Sequence, residues 1–198
     1  MSDPTYTTLS KLKNTLKITD TDRDEQLTDA IDAASRGIDR LTGRRFWLDD
    51  TATARIVNPR RHTLVDADGA HLLTADIGTL DGLVVETGAP GAWSPLGDVE
   101  AEPTDALDQG QPVTSLLRLG GTGWPGGRQR IRITARWGWP AVPAEVRQAC
   151  LIQANRLFRR KDSPDGVAGS AEWGVMRLSR VDPDVQALIQ PFILPGLA

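Results

Sequence analysis

Residues 130–137 run Arg-Ile-Arg-Ile-Thr-Ala-Arg-Trp, and the chain continues Gly138-Trp139-Pro140-Ala141-Val142-Pro143-Ala144-Glu145-Val146. Arg130, Arg132, Thr134 and Arg136 alternate with Ile131, Ile133, Ala135 and Trp137, which is the period of a strand with one buried face. Past Pro140 the period becomes helical. Val146, Cys150, Leu151, Ala154, Leu157 and Phe158 fall on one stripe, Pro143 suits a first turn, and Glu145 sits where the helix dipole favours an acid. Arg159-Arg160-Lys161 close the helix with cations at its negative end. A strand therefore hands over to a helix between residues 137 and 143.

Working towards the N-terminus, 51–58, 62–66, 70–74, 80–87, 113–119 and 129–137 are short runs that often alternate. Turn chemistry separates them at Asn58-Pro59, Asp66-Ala67-Asp68-Gly69, Asp81-Gly82 and Gly120-Gly121. Residues 88–112 are rich in Gly, Pro and acid and are expected to form a long loop or protruding hairpin. Before residue 44 the pattern is helical again. Leu9, Leu12 and Leu16 line a first helix capped by Thr8 or Ser10. Leu27, Ile31, Ala34, Ile38 and Leu41 line a second from about Asp22. There Thr21 and Asp24 resemble a capping box, and Gly43 suits a left-handed stop.

Working towards the C-terminus, Ser163-Pro164-Asp165-Gly166 breaks the helix, and 166–174 is Gly/Ala/Ser-rich and expected to be a mobile tether. Asp182-Pro183 caps a last short helix with Val185, Leu188 and Ile189 apolar; Pro191 ends it, and an apolar tail from Phe192 follows.

The fold expected is α+β. Two N-terminal and two C-terminal helices form a small bundle, and an antiparallel β module is inserted. The parts are helices over 1–43, a β-rich insertion over 44–140 with its acidic loop near 88–112, a scaffold helix over 141–161, and a tether, short helix and apolar arm over 162–198. The helical stripes need each other. Leu27, Ile31, Ile38, Leu41, Val146, Cys150 and Leu157 are expected as the scaffold core.

Composition excludes several classes. A chain of 198 residues with 39% hydrophobic and 25% charged residues is ordinary for one soluble globular domain. One cysteine excludes an intramolecular disulfide and a Cys-rich zinc site. No apolar run is long enough for a membrane helix, and MSDPTYTTLS is not a signal peptide, so a soluble protein made in a cytoplasm is expected.

No catalytic arrangement emerges. His62 and His71 lie near turns in the strand region, where a surface or turn role is expected, and nothing supplies a third metal ligand at a suitable spacing. Cys150 falls on an apolar stripe as a packed thiol. Ser94 lacks the flanking glycines of a nucleophile elbow. The glycine-rich 120–127 lacks the Gly-Lys-Ser/Thr ending of a phosphate loop. No enzyme, metal or cofactor is expected.

The net charge of −3 hides a polarity. Residues 81–110 hold seven acids and no base, whereas 118–180 hold twelve bases against four acids. The segregation suits either two solvated faces of a monomer or an acidic face of one copy meeting a basic face of the next. On the second reading Asp98, Glu100, Glu102, Asp105 and Asp108 would meet Arg128, Arg130 or Arg136. Trp93, Trp124 and Trp173 lie in Gly/Pro-rich loops, where a tryptophan either plugs the core or anchors a partner. Trp93 and Trp124 are therefore added to the subunit-interface candidates. Arginines along 128–136 beside Trp124, Trp137 and Trp139 also suit a stacking platform for nucleic acid.

Three stretches taken together resemble the tailed-phage head–tail connectors, also called head-completion adaptors. They are Tyr6–Leu12 with Ile31–Phe46, closing on Thr42-Gly43-Arg44; Ile131–Ala149, where a strand ends in an aromatic-glycine turn and Val142-Pro143 opens a helix; and Glu172-Trp173-Gly174 followed by Asp182-Pro183-Asp184-Val185. The resemblance implies a structural virion protein of the head–tail junction. It implies a ring of identical subunits, usually twelve, beneath the portal protein, joined to a stopper or other neck protein, with genomic DNA passing through its lumen without sequence readout and no membrane. Within that frame the arm from about residue 177 is expected to leave the subunit body. It would dock on the portal through Val185, Leu188, Ile189, Phe192, Ile193 and Leu194; the alternative is that it folds back on its own helices. The second functional reading is a nucleic-acid-binding helical module with a β insertion, and a small hydrolase is a distant third.

Overall fold

A computed structural model describes residues 4–121, 123–126, 128–160, 167–168, 176–177 and 182–194. In chain order the elements are α1 (Leu9–Leu16), α2 (Asp24–Thr42), β1 (Thr53–Val57), α3 (Pro59–His62), β2 (Thr63–Val65), β3 (Ala70–Ala89), β4 (Ala92–Pro95), β5 (Val99–Glu102), β6 (Val113–Arg118), β7 (Arg130–Trp137), α4 (Ala144–Arg160), β8 (Val167–Ala168), β9 (Met176–Arg177) and α5 (Pro183–Ile189). The fold is α+β with a large antiparallel sheet and several helices. The chain divides into two compact units, one made of residues 1–44 and 142–198, the other of residues 45–141.

In the first unit α2 packs on α1 and α4, and α4 packs on α5. Thr8 caps α1 by accepting from the Lys11 amide. The capping box expected at Thr21 and Asp24 does not form. The helix begins at Asp24, whose carboxylate is taken by Lys13 Nζ at 2.6 Å, and Thr21 contributes only its carbonyl to the Asp24 amide. Gly43 ends α2 in the left-handed region (φ 69°), with its N–H on the Asp39 carbonyl. Leu27, Ile31, Ile38, Val146 and Cys150 are buried as expected. Each large aliphatic among them contributes on the order of 1.5–3 kcal/mol.

Two members of the expected core are not in it. Leu41 is 48% exposed, because the C-terminal segment seats on the other side of the last turn: the Leu194 N–H donates to the Thr42 carbonyl at 2.9 Å, and Thr42 is buried instead. Leu157 is half-buried, because α4 buries the i, i+4 row Val146, Cys150, Ala154, Phe158.

The second unit is built on β3, a strand of 20 residues that includes the expected Asp81-Gly82 turn. Its first half pairs with β2 and β6, its second half with β4 and β7. Register shifts between Leu73 and Ile77, and again up to Val84, bend it between the halves, and Gly82 takes a positive φ of 76° there. The strand order is β1-β7-β3-β6-β5. Residues 88–112, expected as a long loop or a protruding hairpin, hold strands: Gly88 faces Trp93 in a β3–β4 hairpin, and β5 returns along β6. The alternation of β7 is observed in full, with Ile131, Ile133, Ala135 and Trp137 buried and the intervening residues half-exposed. These side chains share one core with Leu72, Ile77, Val85, Val113 and Leu116. Gly138 (φ 110°) ends the strand where the backbone of Trp47 passes so close that a Cβ would lie 1.7 Å from its carbonyl oxygen.

Candidate functional site

The outward row of β7 is where the sequence places its arginines, and the sheet supplies partners for them. Glu86 of β3 stands opposite Arg132. The guanidinium grips it with two bonds, Nε to Oε2 at 2.5 Å and Nη2 to Oε1 at 2.6 Å, and also lies over the Trp93 ring at 4.8 Å. That fork holds the Glu86 carboxyl below its ordinary range. Arg136 donates from Nε to the Asp49 carbonyl, and Arg130 from Nη1 to the Gln129 carbonyl. These donors serve the chain's own carboxylates and carbonyls, which weakens the case for a phosphate-binding platform on β7.

At the other side of the module Asp98 pairs with Arg118 at 2.9 Å, and Arg118 lies 6.0 Å from the Trp124 ring centroid. The Trp124 indole N–H donates to the Ala70 carbonyl at 2.8 Å. Trp93 and Trp124 are thus half-buried side chains with partners inside the unit; Trp124 packs against the sheet core, as a core plug would, whereas Trp93 lies under Arg132 of the outward row of β7. Trp173 lies outside the described residues, as does Arg128's predecessor Gly127.

His71 is bound on both ring nitrogens, a feature that sequence reasoning missed. Nδ1 is 2.6 Å from Glu102 Oε2 and Nε2 is 2.9 Å from Asp66 Oδ1. Two carboxylates on one imidazole favour the doubly protonated ring. The hydrogen bond that the His71 ring donates to Asp66 is the largest cause holding the His71 pKa above its ordinary value, and the same bond holds Asp66 below its own. The Asp66-Ala67-Asp68-Gly69 turn was a signal for one partner; Glu102, far along the chain, offered none.

Of the interface candidates, Glu100, Asp105 and Asp108 make no ion pair among the described residues, whereas Asp98, Glu102, Arg130 and Arg136 each have contacts within the unit.

Two of the expected portal-docking residues, Val185 and Ile189, are taken up by the first unit's own packing. Asp182 caps α5 through the Asp184 and Val185 amides, and Val185 and Ile189 are each 1% exposed in contact with α4. Arg44 Nε donates to the Phe192 carbonyl at 3.0 Å. The arm folds back, because its apolar stripe finds a partner on α4 and its tail finds backbone partners at the end of α2. Val185 and Ile189 are occupied as core; Leu188 and Phe192 are half-buried, and Ile193 and Leu194 keep 37% and 44% exposure. Of the expected tether only Val167–Ala168 falls among the described residues, and it pairs antiparallel with Met176–Arg177 beyond it.

Among the described residues no group of three His, Cys, Asp or Glu side chains is placed to hold a metal ion, and no helix is long and apolar enough to cross a membrane. Cys150 is buried with its thiol 3.4 Å from Ser35 Oγ, and burial pushes its pKa up, away from nucleophilic use.

Comparison with known proteins bears out the resemblance over one third of the chain. Residues 6–72 match the family model described as phage gp6-like head-tail connector protein. No curated protein is matched. Among solved structures, a chain from the neck of an empty GTA particle computed with C6 symmetry matches with a TM-score of 0.55 and 19% identity, covering 96% of this chain and 90% of that one, so the two share a fold. Chains from the virion of a native gene transfer agent particle and from the neck of the native particle computed with C12 symmetry match at 20% and 18% identity, each with a TM-score of 0.49 and the same coverage.

Proposed function

We propose that this chain is a structural subunit of a head–tail connector, assembled as a ring of identical copies below the portal of a phage-like particle. The match of residues 6–72 to the connector family is the observation that carries this reading. The fold shared with a neck chain of a gene transfer agent supports it, and the sixfold symmetry of that neck is compatible with the twelve copies expected. In this role the ring joins the DNA-filled head to the stopper or another neck protein, and genomic DNA passes its lumen. A lumen that lets DNA slide needs weak, repeated contacts, so no base readout is required of it. The portal contact involves a surface other than Val185 and Ile189, which are core.

The test is removal and return. Particles made without the chain should accumulate as DNA-filled heads and separate tails, and added purified chain should restore joined particles. Heads that fail to fill, or tails that join without the chain, would overturn the proposal.

A further inference from the structure

The path of the large sheet ends on β1 at one side and β5 at the other, and among the described residues neither strand has a second neighbour. An open strand edge is a template for another strand. The two edges differ sharply in charge. Residues 51–65, which contain β1, carry Arg55, Arg60 and Arg61 and no acid; residues 98–108, which contain β5, carry Asp98, Glu100, Glu102, Asp105 and Asp108 and no base. The chain neutralises only part of this charge: Asp98 pairs with Arg118, Glu102 pairs with His71, and Arg55 lies over the Trp137 ring. Arg60 and Arg61 are exposed and make no ion pair among the described residues, and the same holds for the exposed Asp105 and Asp108. Ile56, on β1, is 59% exposed.

We propose that the β5 edge of one copy joins the β1 edge of the next, continuing the sheet from subunit to subunit with the acidic 98–108 segment against the basic 51–65 segment. This rests on the ring assembly proposed above and names the surfaces that make it. Two different, complementary surfaces on one chain give a heterologous, head-to-tail contact, the kind that closes into a ring when its rotation allows. A self-complementary dimer would need one surface that matches itself, and neither edge does: each would meet its own charge. The basic partner is therefore the β1 edge and not the arginines of β7, which lie on an interior strand flanked by β1 and β3.

Two measurements on particles assembled with variant chains test this. Ala54 and Glu100 lie on the two edge strands. Necks carrying Ala54→Cys and Glu100→Cys in the same chain should, after oxidation and denaturation, give a ladder of disulfide-linked multiples, absent from either single variant. Only single chains from oxidised necks that contain the variant would overturn the edge pairing while leaving the connector reading intact.

Charge reversal gives the second test. Arg60→Glu with Arg61→Glu should leave the melting temperature unchanged and lower incorporation into necks on the order of tenfold. Adding Asp105→Lys and Asp108→Lys to the same chain should restore it. Unchanged incorporation of the arginine variant, or no recovery in the combined one, would overturn the proposal. Absence of the parent chain from joined necks would instead overturn the connector reading.

Discussion

Ile189→Ala tests whether the C-terminal helix belongs to the subunit core. Ile189 is 1% exposed, and α5 lies against α4 in the first unit. The substitution removes three carbons, worth about 2.4 kcal/mol at roughly 0.8 kcal/mol per buried methylene. The cavity left behind adds to that, so about 2–5 kcal/mol is expected. In a chain of this length each kcal/mol moves the melting temperature by about 2–4 °C, which gives a fall of at least about 4 °C. Ile193→Ala is the control, because Ile193 is 37% exposed and its truncation is expected to cost well under half as much. Thermal melts of both variants, followed by far-UV circular dichroism, make the comparison. Equal melting temperatures for Ile189→Ala and the parent would refute the fold-back packing and return Ile189 to the set of docking anchors.

Gly138→Ala places a Cβ 1.7 Å from the Trp47 carbonyl oxygen at a φ of 110°, so it should cost at least about 3 kcal/mol and disturb the near-UV signal of Trp137 and Trp139; a parent-like melt would contradict the close approach. His71 has its pKa raised above 6.5, so its two carboxylate bonds stabilise the fold fully below that pH and are lost as pH rises through the folded-state value. Asp66 is lowered from 3.8, so its share is present above that pH and lost as pH falls through its folded-state value. The melting temperature of the parent relative to His71→Asn should therefore be greatest between roughly pH 4 and pH 6.5, and a proton NMR titration should place His71 above 6.5; a His71 titrating below 6.5 would refute the two-carboxylate geometry. Finally, the isolated chain at physiological salt should bind a short duplex no more tightly than the non-specific range of about 10⁻⁴–10⁻⁶ M, measured by fluorescence anisotropy, and nanomolar binding would favour the nucleic-acid module instead.

Local chemistry was legible where one element decides it. The alternation of residues 130–137 gives a strand with one buried face, and Asp182-Pro183 gives a capped helix, because both depend only on period and on backbone amides near in sequence. Legibility failed where a distant segment decides. Asp81-Gly82 has turn chemistry, yet β7 and β6 pair on either side of it and make it a bend within β3. Leu41 fits the stripe of α2 by spacing, but the chain end seats on Thr42 and leaves it outside.

The same distinction holds for the candidate site. The segregation of charge was visible in composition, while its internal cancellation was not. Glu86 is taken by Arg132 across two strands, Asp98 by Arg118 and Glu102 by His71, so Asp81, Glu100, Asp105 and Asp108 are the acids of 81–110 that make no ion pair among the described residues. Sequence left the apolar tail between docking and fold-back because its partners at the end of α2, the backbone at Thr42 and the side chain of Arg44, offer no hydrophobic pattern to match.

The connector assignment itself is tested most directly by imaging the neck of the particle at a resolution that shows helices. The account predicts a closed ring of copies of this α+β fold between the DNA-filled head and the next neck protein, surrounding a channel wide enough for duplex DNA. A head–tail junction resolved to the same detail with no density for this fold would contradict it.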